Sequence, residues 1–176
     1  MTNFSIPTKE EVSGSNQQIF DKLHSALGFV PNLYAMMAHS ENALSRYLEF
    51  QGGKTSLNNK EKEIVNLIVS QINECRYCQS AHTVLGKMNG LDDNEILSIR
   101  NGSSNNVKYN ALVKLTKELT ELKGKASDKA LQNFYENGYT TENLIDVIMQ
   151  ISDKIAMNYL HNLTQIEIDF PLAKEI

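Results

Sequence analysis

Residues 74–86 read ECRYCQSAHTVLG, and this stretch contains both cysteines of the 176-residue chain. Cys75 and Cys78 are three positions apart, and His82 follows four positions after the second cysteine. On a helix that turns about 100° per residue, the three side chains fall within about 60° of one another. The spacing therefore predicts a helix that carries two thiols and an imidazole on one side, with Gly86 leaving space beside them.

The opposite side of the same helix is apolar. Its predicted core-facing residues are Tyr77, Ala81, Val84, Leu85 and Met88. We therefore expect the helix to have a buried side and, separate from it, a side that presents the thiols and the imidazole.

A cysteine pair at this spacing favours redox chemistry. A CxxC at a helix start can close to a disulfide within one turn, and the helix dipole favours thiolate at both sulfurs. The dipole alone would give Cys75 the lower pKa, because it is nearer the helix start. His82 lies one turn from Cys78, where it can take the thiol proton or stabilise the anion by charge. We assign the reactive thiolate to Cys78, because a positioned imidazole is a specific proton acceptor.

Two other interpretations of the pair stay open. The cysteines can have unrelated roles, or they can be ligands of a structural zinc ion. Zinc sites usually take two ligand pairs from separated segments, and the sequence contains a single CxxC with no HxxxH. Zinc is therefore the less favoured interpretation.

Composition limits the classes of partner. The net charge is −4, with no basic cluster, which disfavours nucleic acid and anionic membranes. The first residues, MTNFSIPTKEEVSG, lack the basic and apolar regions of a signal peptide, and no apolar run approaches the roughly 20 residues that span a bilayer. We expect a cytoplasmic protein, and in that compartment a close cysteine pair more often indicates redox chemistry or metal than a structural disulfide.

Helical periodicity extends through nearly the whole chain, which predicts an all-α, multi-helix bundle forming a single domain over residues 1–176. The tail IEIDFPLAKEI is predicted to be extended. The last helix has apolar residues on more than one face, which predicts burial against a second copy of the chain. The predicted helices run from Ser15 to Leu27, Pro31 to Ala38, Ser40 to about Gln51, Asn58 or Asn59 to about Asn73, the CRYC stretch to Asn89, Asp92 to Gly102, 106 to 123, Ser127 to Glu136, and Thr140 or Thr141 to about Leu163.

The cysteine motif resembles that of the carboxymuconolactone decarboxylase superfamily, specifically its alkylhydroperoxidase D-like, peroxidase-related branch. In that branch eleven intervening residues separate a glutamate from the CxxC, and three intervening residues separate the CxxC from a histidine; here Glu63, Cys75, Cys78 and His82 match at those spacings. The stretches LGFVPNLYAMMAHSENAL and NYLHNLTQIEIDFP also resemble the subgroup. On the sequence pattern alone, Glu63 would be an ordinary exposed residue near a helix start.

The resemblance implies an all-helical thiol peroxidase or disulfide reductase that forms trimers or hexamers. It implies that Cys78 is oxidised to sulfenic acid, that Cys75 resolves it to a disulfide, and that His82 and Glu63 relay protons. A peroxide would be the substrate and a thioredoxin-like or lipoyl-bearing dithiol protein the electron donor, with no metal, haem or flavin cofactor.

One departure from the family pattern concerns the relay. Family members often have a second histidine directly before the second cysteine, where this chain has Tyr77. A tyrosine does not exchange protons near neutral pH, so a shorter relay and a lower rate are expected. Two alternatives to the peroxidase remain at this stage: a lactone decarboxylase, whose branch does not depend on the CxxC, and a non-enzymatic redox sensor or scaffold.

Overall fold

The computed structural model describes residues 4–176, and within that range it contains α-helices and one short 3₁₀ helix but no β-strand. The prediction of an all-α fold is confirmed. After the 3₁₀ turn Lys9–Glu11, the helices are α1 (Gly14–Leu27), α2 (Asn32–Met37), α3 (Ala43–Gln51), α4 (Asn59–Ile72), α5 (Arg76–Met88), α6 (Asp93–Arg100), α7 (Val107–Glu121), α8 (Asp128–Glu136) and α9 (Thr141–Thr164).

Side-chain caps fix where most of these helices begin. Asn58, Asp92, Ser127 and Thr140 each accept a hydrogen bond from a backbone N–H of the first turn, as the sequence indicated. Two predicted starts were wrong. Ser13, two residues before the predicted Ser15, caps α1 because its backbone is extended and its side chain reaches Asn16 N. The helix predicted from Ser40 begins only at Ala43, after a turn.

Helix α4 is the centre of the bundle. It packs against α5, α6, α7 and α9, and its residues from Glu63 to Ser70 are all buried. A helix covered on every side cannot be amphipathic, and its buried run mixes aliphatic residues with Glu63, Asn66 and Ser70. The polar groups of this run are therefore held at fixed positions inside the protein, where each needs a partner.

A second apolar cluster lies beside this core and contains both cysteines. Its other buried members come from α2, α3, α5, α9 and the tail: Leu33, Met36, Tyr47, Tyr77, Ala81, Met157 and Ile166. The tail after α9 has no helix or strand and crosses α5, where Ala173 N donates to Ser80 Oγ at 3.1 Å. Arg100 also holds it, donating to Lys174 O at 2.7 Å.

Helix α5 differs from its prediction in two respects. Its thiol-and-imidazole side is buried, with Cys75, Cys78 and His82 no more than 7 % exposed, while Met88 on the predicted core side is 77 % exposed. The sequence pattern could not show this, because α9 and the tail cover the thiol side from distant parts of the chain. Gly86 does not leave space beside the thiols; a Cβ there would lie 3.3 Å from Leu91, where α5 turns toward α6.

Helix α9 leaves one stripe of its surface uncovered. The exposed residues recur at alternating intervals of four and three: Ile145, Met149, Ser152, Ala156, Tyr159 and Leu163. This is the spacing of a helix–helix seam of the coiled-coil type. Within residues 4–176, no helix, α9 included, combines the length and apolar character needed to cross a membrane.

The packing around α4 makes a stability prediction for α7, one of the helices that cover it. Leu112 is fully buried, so Leu112→Ala should lower the free energy of unfolding by about 2–5 kcal/mol. Leu122, 51 % exposed at the end of the same helix, is the matched control, and Leu122→Ala should change it by less than about 0.5 kcal/mol. Urea denaturation followed by circular dichroism measures both. Equal losses would contradict the assignment of α7 to the core.

Candidate active site

The corner between α4 and α5 places the cysteines. After α4 ends, Glu74 adopts φ 55°, Glu74 N donates to Gln71 O, and Cys75 N donates to Ser70 O. These two bonds close the helix in the way that usually requires glycine at the left-handed position. For a glutamate that conformation costs about 1–2 kcal/mol. Cys75 therefore follows directly after the closed end of α4 and is itself the N-cap of α5.

The two sulfur atoms are in direct contact. The Cys75 thiol donates to Cys78 Sγ at 2.7 Å, and Cys78 N donates to Cys75 Sγ at 3.3 Å. The structure has no disulfide between them, and both cysteines are buried. The two thiols are thus in contact, with the Cys75 thiol as donor and the Cys78 sulfur as acceptor.

This contact separates the pKa values of the two thiols. Burial opposes ionisation of Cys78, but the hydrogen bond from Cys75 and the positive charge of Lys154 outweigh it, so the pKa of Cys78 lies below its usual value. The hydrogen bond to Cys78, together with burial, raises the pKa of Cys75. The sequence analysis expected the lower pKa at Cys78, but it assigned the cause to His82. The cause is instead the Cys75 thiol and Lys154.

Glu63 and His82 form the second half of the site. His82 Nδ1 lies 2.7 Å from Glu63 Oε2, and both side chains are buried. A carboxylate in this position selects the imidazole tautomer with its proton on Nδ1, which leaves Nε2 as a free proton acceptor. Glu63 lies on α4 and His82 on α5, so the pairing follows from the packing of those two helices.

The charge states of this pair favour a base. Burial and the neighbouring Lys154 lower the pKa of His82, although Glu63 acts in the opposite direction. Burial would raise the pKa of Glu63, but His82 and Lys154 outweigh it and the pKa is lowered. The imidazole is therefore neutral and the carboxylate ionised at neutral pH. His82 can accept a proton in this state but cannot stabilise an anion by charge.

A polar chain extends from this pair to α9. Asn66 donates to Glu63 Oε1 at 3.4 Å, and Gln150 donates both to Asn66 Oδ1 at 2.8 Å and to Asp153 Oδ2 at 3.0 Å. Lys154 Nζ lies 3.7 Å from the same Asp153 oxygen. The chain links His82 to Lys154 through buried and half-buried groups.

A cavity of about 320 Å³ opens onto these groups. Cys78, His82, Glu63 and Lys154 all line it, and its remaining walls are largely apolar and aromatic. The aromatic residues come from α2, α3, α5 and the tail: Tyr34, Tyr47, Tyr77 and Phe170. Its size and lining suit a small organic molecule whose reactive atom approaches Cys78.

Tyr77, the departure from the family motif, has a structural position. Its hydroxyl oxygen accepts a hydrogen bond from Leu33 N at 3.3 Å, and its ring packs edge-on against Phe170. Burial raises the pKa of Tyr77, so the phenol keeps its proton. The side chain ties α5 to α2 and the tail, and the proton path of the site does not pass through it.

The site residues identified from the sequence thus lie together, but two of their charged neighbours were missed. Lys154 and Asp153, both buried on α9, went unrecognised, although a lysine on the same stripe as Val147, Ile151 and Asn158 is a visible anomaly in the sequence. No group of three or more His, Cys, Asp and Glu side chains in the described part of the chain is arranged to hold a metal ion.

Comparison with known proteins relates the chain to one protein family. Residues 35–120, which include the two cysteines, Glu63 and His82, match the sequence model of the carboxymuconolactone decarboxylase family. This match, over just under half of the chain, supports membership of the carboxymuconolactone decarboxylase superfamily. Among curated protein sequences, none matches it.

Solved structures share the fold of this chain at low identity. An uncharacterised peroxidase-related protein from Ralstonia eutropha JMP134, described as an alkylhydroperoxidase AhpD core, superimposes with a TM-score of 0.86 at 16% identity, covering 95% of this chain and 92% of that one. A peroxidase-related protein from Silicibacter sp. TM1040 gives 0.82 at 16% identity, covering 94% and 90%. The debrominase Bmp8 gives 0.78 at 15% identity, covering 96% and 93%. The alkylhydroperoxidase D-like fold is therefore confirmed.

The Glu63–His82 pair makes a prediction for the imidazole. In an NMR titration, His82 should show a pKa below the usual value of about 6.5. Glu63→Gln should lower that pKa further, because it removes the main negative charge that favours the imidazolium. A titration of His82 at or above the usual value, or no response to Glu63→Gln, would contradict the buried pairing.

The lowered pKa of His82 also predicts that the folded protein loses stability in acid. The unfolded chain takes up the His82 proton at higher pH than the folded one, so the contribution of His82 to stability is complete above about pH 6.5 and declines as the pH falls toward its folded pKa. Glu63 acts in the same direction at lower pH, because its folded pKa is also lowered. The free energy of unfolding, measured in urea, should therefore decrease steadily below about pH 6.5.

Proposed function

We propose that the protein is a thiol-dependent peroxidase or disulfide oxidoreductase that uses the Cys75–Cys78 pair. The observation that carries this proposal is the 2.7 Å contact in which the Cys75 thiol donates to a Cys78 sulfur of lowered pKa. A thiolate with a second thiol already in contact is arranged to be oxidised and then resolved to a disulfide. The superfamily membership supports a peroxidase-related role.

In the first step, the Cys78 thiolate attacks the terminal oxygen of a hydroperoxide. The S–O bond forms, the O–O bond breaks, and the electron pair leaves with the alkoxide. Cys78 is oxidised to sulfenic acid and the peroxide is reduced to an alcohol. The neutral His82 takes up a proton from solvent at Nε2 and passes it to the departing alkoxide, so it is an imidazolium only during this step, stabilised by Glu63.

In the second step, Cys75 attacks the sulfenic sulfur. The S–S bond forms and the S–O bond breaks, and the Cys75 proton leaves with the hydroxide as water. A dithiol donor, thioredoxin-like or lipoyl-bearing, then reduces the disulfide through a mixed disulfide, supplying two electrons and two protons. This cycle needs no metal, haem or flavin. It fits a cytoplasmic location, where such reductants are present.

A second candidate follows from the cavity. The debrominase Bmp8, which shares the fold, has been solved in complex with 2,3,4-tribromopyrrole. The largely apolar cavity of about 320 Å³ beside Cys78 could accept a small halogenated ring in place of an alkyl hydroperoxide. The same two thiols would then supply two electrons and two protons: the C–Br bond breaks, a C–H bond forms on the ring, bromide leaves with the second proton, and the two sulfurs close to a disulfide. A lactone decarboxylase would need neither cysteine, which gives a direct way to separate it from both thiol reactions.

The thiol peroxidase predicts different outcomes for the two cysteines. Cys78→Ser should abolish the consumption of cumene hydroperoxide with dithiothreitol or dihydrolipoamide as the donor. Cys75→Ser should still form one sulfenic acid per chain, trapped by dimedone and detected by mass spectrometry. His82→Ala should slow turnover about 100- to 10,000-fold, the usual contribution of a general base.

Several outcomes would count against this function. Activity that survives Cys78→Ser would exclude it and favour a decarboxylase. Oxidation that stops after one equivalent of peroxide with excess donor would indicate a sensor. A bromopyrrole turned over in preference to hydroperoxides would favour the dehalogenase. Persistent free thiols after mild oxidation would remove the resolving role of Cys75.

We also propose that the chain forms homo-oligomers through the exposed stripe of α9, with trimers or hexamers expected from the resemblance. Antiparallel pairing of two such stripes is self-complementary: Ile145 would meet Leu163, Met149 would meet Tyr159, and the small residues at 152 and 156 would meet at the centre, where helices approach most closely. Pairing of this kind obeys twofold symmetry and so fits dimers and hexamers.

The seam is tested by placing a charge at its centre. Ala156→Arg should reduce the oligomer to smaller species in light scattering at micromolar concentration, because it buries an unpaired charge in the interface. Gln132→Arg, on the exposed surface of α8, is the control and should leave the mass unchanged. A wild-type protein that is already monomeric, or an Ala156→Arg variant of unchanged mass, would refute the seam.

A further inference from the structure

Lys154 is the least expected residue of the cavity. It lies in the middle of α9 and is only 3 % exposed, on the inward stripe that also contains Val147, Ile151 and Asn158. Burying an ammonium group is costly unless a negative charge or hydrogen-bond acceptors compensate it. A lysine retained at this position must therefore be compensated by something in the cavity.

The adjacent carboxylate compensates it only in part. Asp153 Oδ2 lies 3.7 Å from Lys154 Nζ, beyond hydrogen-bond distance, and that oxygen already accepts from Gln150 at 3.0 Å. Lys154 Nζ makes no hydrogen bond to any residue in the described range 4–176. Cys78 and Glu63 line the same cavity as Lys154, and the Glu63 carboxylate is already paired with His82 at 2.7 Å, so the anion left for the ammonium is the Cys78 sulfur.

We propose that Lys154 is the resident counter-ion of the Cys78 thiolate and that, by stabilising the reduced pair, it makes the Cys75–Cys78 couple strongly oxidising. Lys154 is a positioning residue in this account: it acts on the thiolate by charge and takes no part in bond making. The inference deepens the proposed function and rests on the redox cycle of the pair, but the potential of the pair can be measured without peroxide.

The other charged and titratable groups around Cys78 do not supply this charge. They come from each helix that packs around the cavity: Tyr34 on α2, Tyr47 on α3, Lys62 and Glu63 on α4, Cys75, Tyr77 and His82 at α5, and Asp153 on α9. Tyrosines and carboxylates are neutral or negative at neutral pH. The lowered pKa of His82 keeps it neutral, and Lys62 is half-buried at the cavity wall. Lys154 is thus the only fully buried cation among these groups.

A cation that favours thiolate affects the disulfide equilibrium in a defined direction. When glutathione disulfide oxidises the pair, the S–S bond of the protein forms, the Cys75 proton and one proton from solvent pass to two glutathione molecules, and two electrons leave the protein. The negative charge on Cys78 disappears in this reaction, and Lys154 loses its counter-ion. Stabilising the thiolate therefore favours the reduced pair and raises the reduction potential.

The test measures the Cys78 pKa and the potential together. In Lys154→Met, Cys78 should react with iodoacetamide with a higher apparent pKa than in wild type. In glutathione buffers at pH 7, the equilibrium should move about tenfold toward the protein disulfide, which corresponds to a potential about 30 mV lower. At a pH below the Cys78 pKa of both proteins the potentials should converge, because neither sulfur is then charged.

Asp153→Asn is the matched variant, and it should act in the opposite direction. Like Lys154→Met, it breaks the buried Asp153–Lys154 pair and is expected to destabilise the fold. However, it removes a negative charge that opposes the thiolate, so the Cys78 pKa should fall and the potential should rise. The double variant Asp153→Asn/Lys154→Met removes both charges and provides a neutral, better-folded background in which the Cys78 pKa should exceed that of Asp153→Asn alone.

Opposite shifts of the Cys78 pKa and of the potential in Lys154→Met and Asp153→Asn support the counter-ion. A general loss of packing would shift these quantities in the same direction in both variants. Unchanged Cys78 pKa and potential in Lys154→Met, or equal shifts in both variants, would overturn it. If the shifts occur as expected but the protein consumes no peroxide with any donor, the proposed function fails while the counter-ion stands. If the protein turns over peroxide but the potential of Lys154→Met is unshifted, the counter-ion fails while the proposed function stands.

Discussion

The candidate site depends on keeping the negative charge of the Cys78 sulfur inside a largely apolar cavity. Burial alone would hold Cys78 as a neutral thiol, and a neutral thiol is a poor nucleophile. The two largest effects that oppose burial are the Cys75 thiol, which donates to the Cys78 sulfur, and Lys154, which brings a positive charge from α9. Helix α5 by itself does not position either the Cys75 thiol or the Lys154 ammonium beside the Cys78 sulfur. The closed turn after α4 fixes Cys75, and the packing of α9 on α4 fixes Lys154.

The central position of α4 explains how these groups are held. A helix surrounded by four others has no solvent-facing side on which to place polar residues, so Glu63 and Asn66 must be satisfied internally. The partners come from two different helices, His82 on α5 and Gln150 on α9. The hydrogen-bond chain therefore sets the relative positions of three helices around the cavity. The same contacts that satisfy buried polar groups also fix the position of the His82 imidazole in the cavity wall.

Local signals in the sequence were enough for the helices and for the four motif residues. Caps such as Asn58 and Thr140 and the left-handed Gly28 are short-range features, and they mark helix ends whatever surrounds them. Burial of the thiol side of α5 depends on α9 and on the tail, which are about 80 to 95 residues away, and no local pattern contains that information. Glu74 was equally hidden, because a glutamate gives no indication of a left-handed turn.

Lys154 could have been recognised in part, because the sequence contains a local signal that marks it as unusual. The inward stripe of α9 can be read at intervals of four and three residues, and Lys154 and Asn158 interrupt it among aliphatic positions. A lysine on such a stripe either reaches solvent along its own length or has a buried partner. The 3 % exposure of Lys154 shows that the first route is closed.

Helix α9 therefore has two sides with different proposed roles, and these roles constrain each other. Its inward side supplies Lys154 to the cavity, while its outward seam is the surface proposed for the oligomer. Coulomb energy varies with distance and with the surrounding dielectric, so the effect of Lys154 on Cys78 depends on how firmly α9 is held. A second copy packed along the seam would exclude water from that side and restrict the helix. In an assembly of that kind, the reduction potential of the pair becomes a property of the oligomer as well as of the single chain.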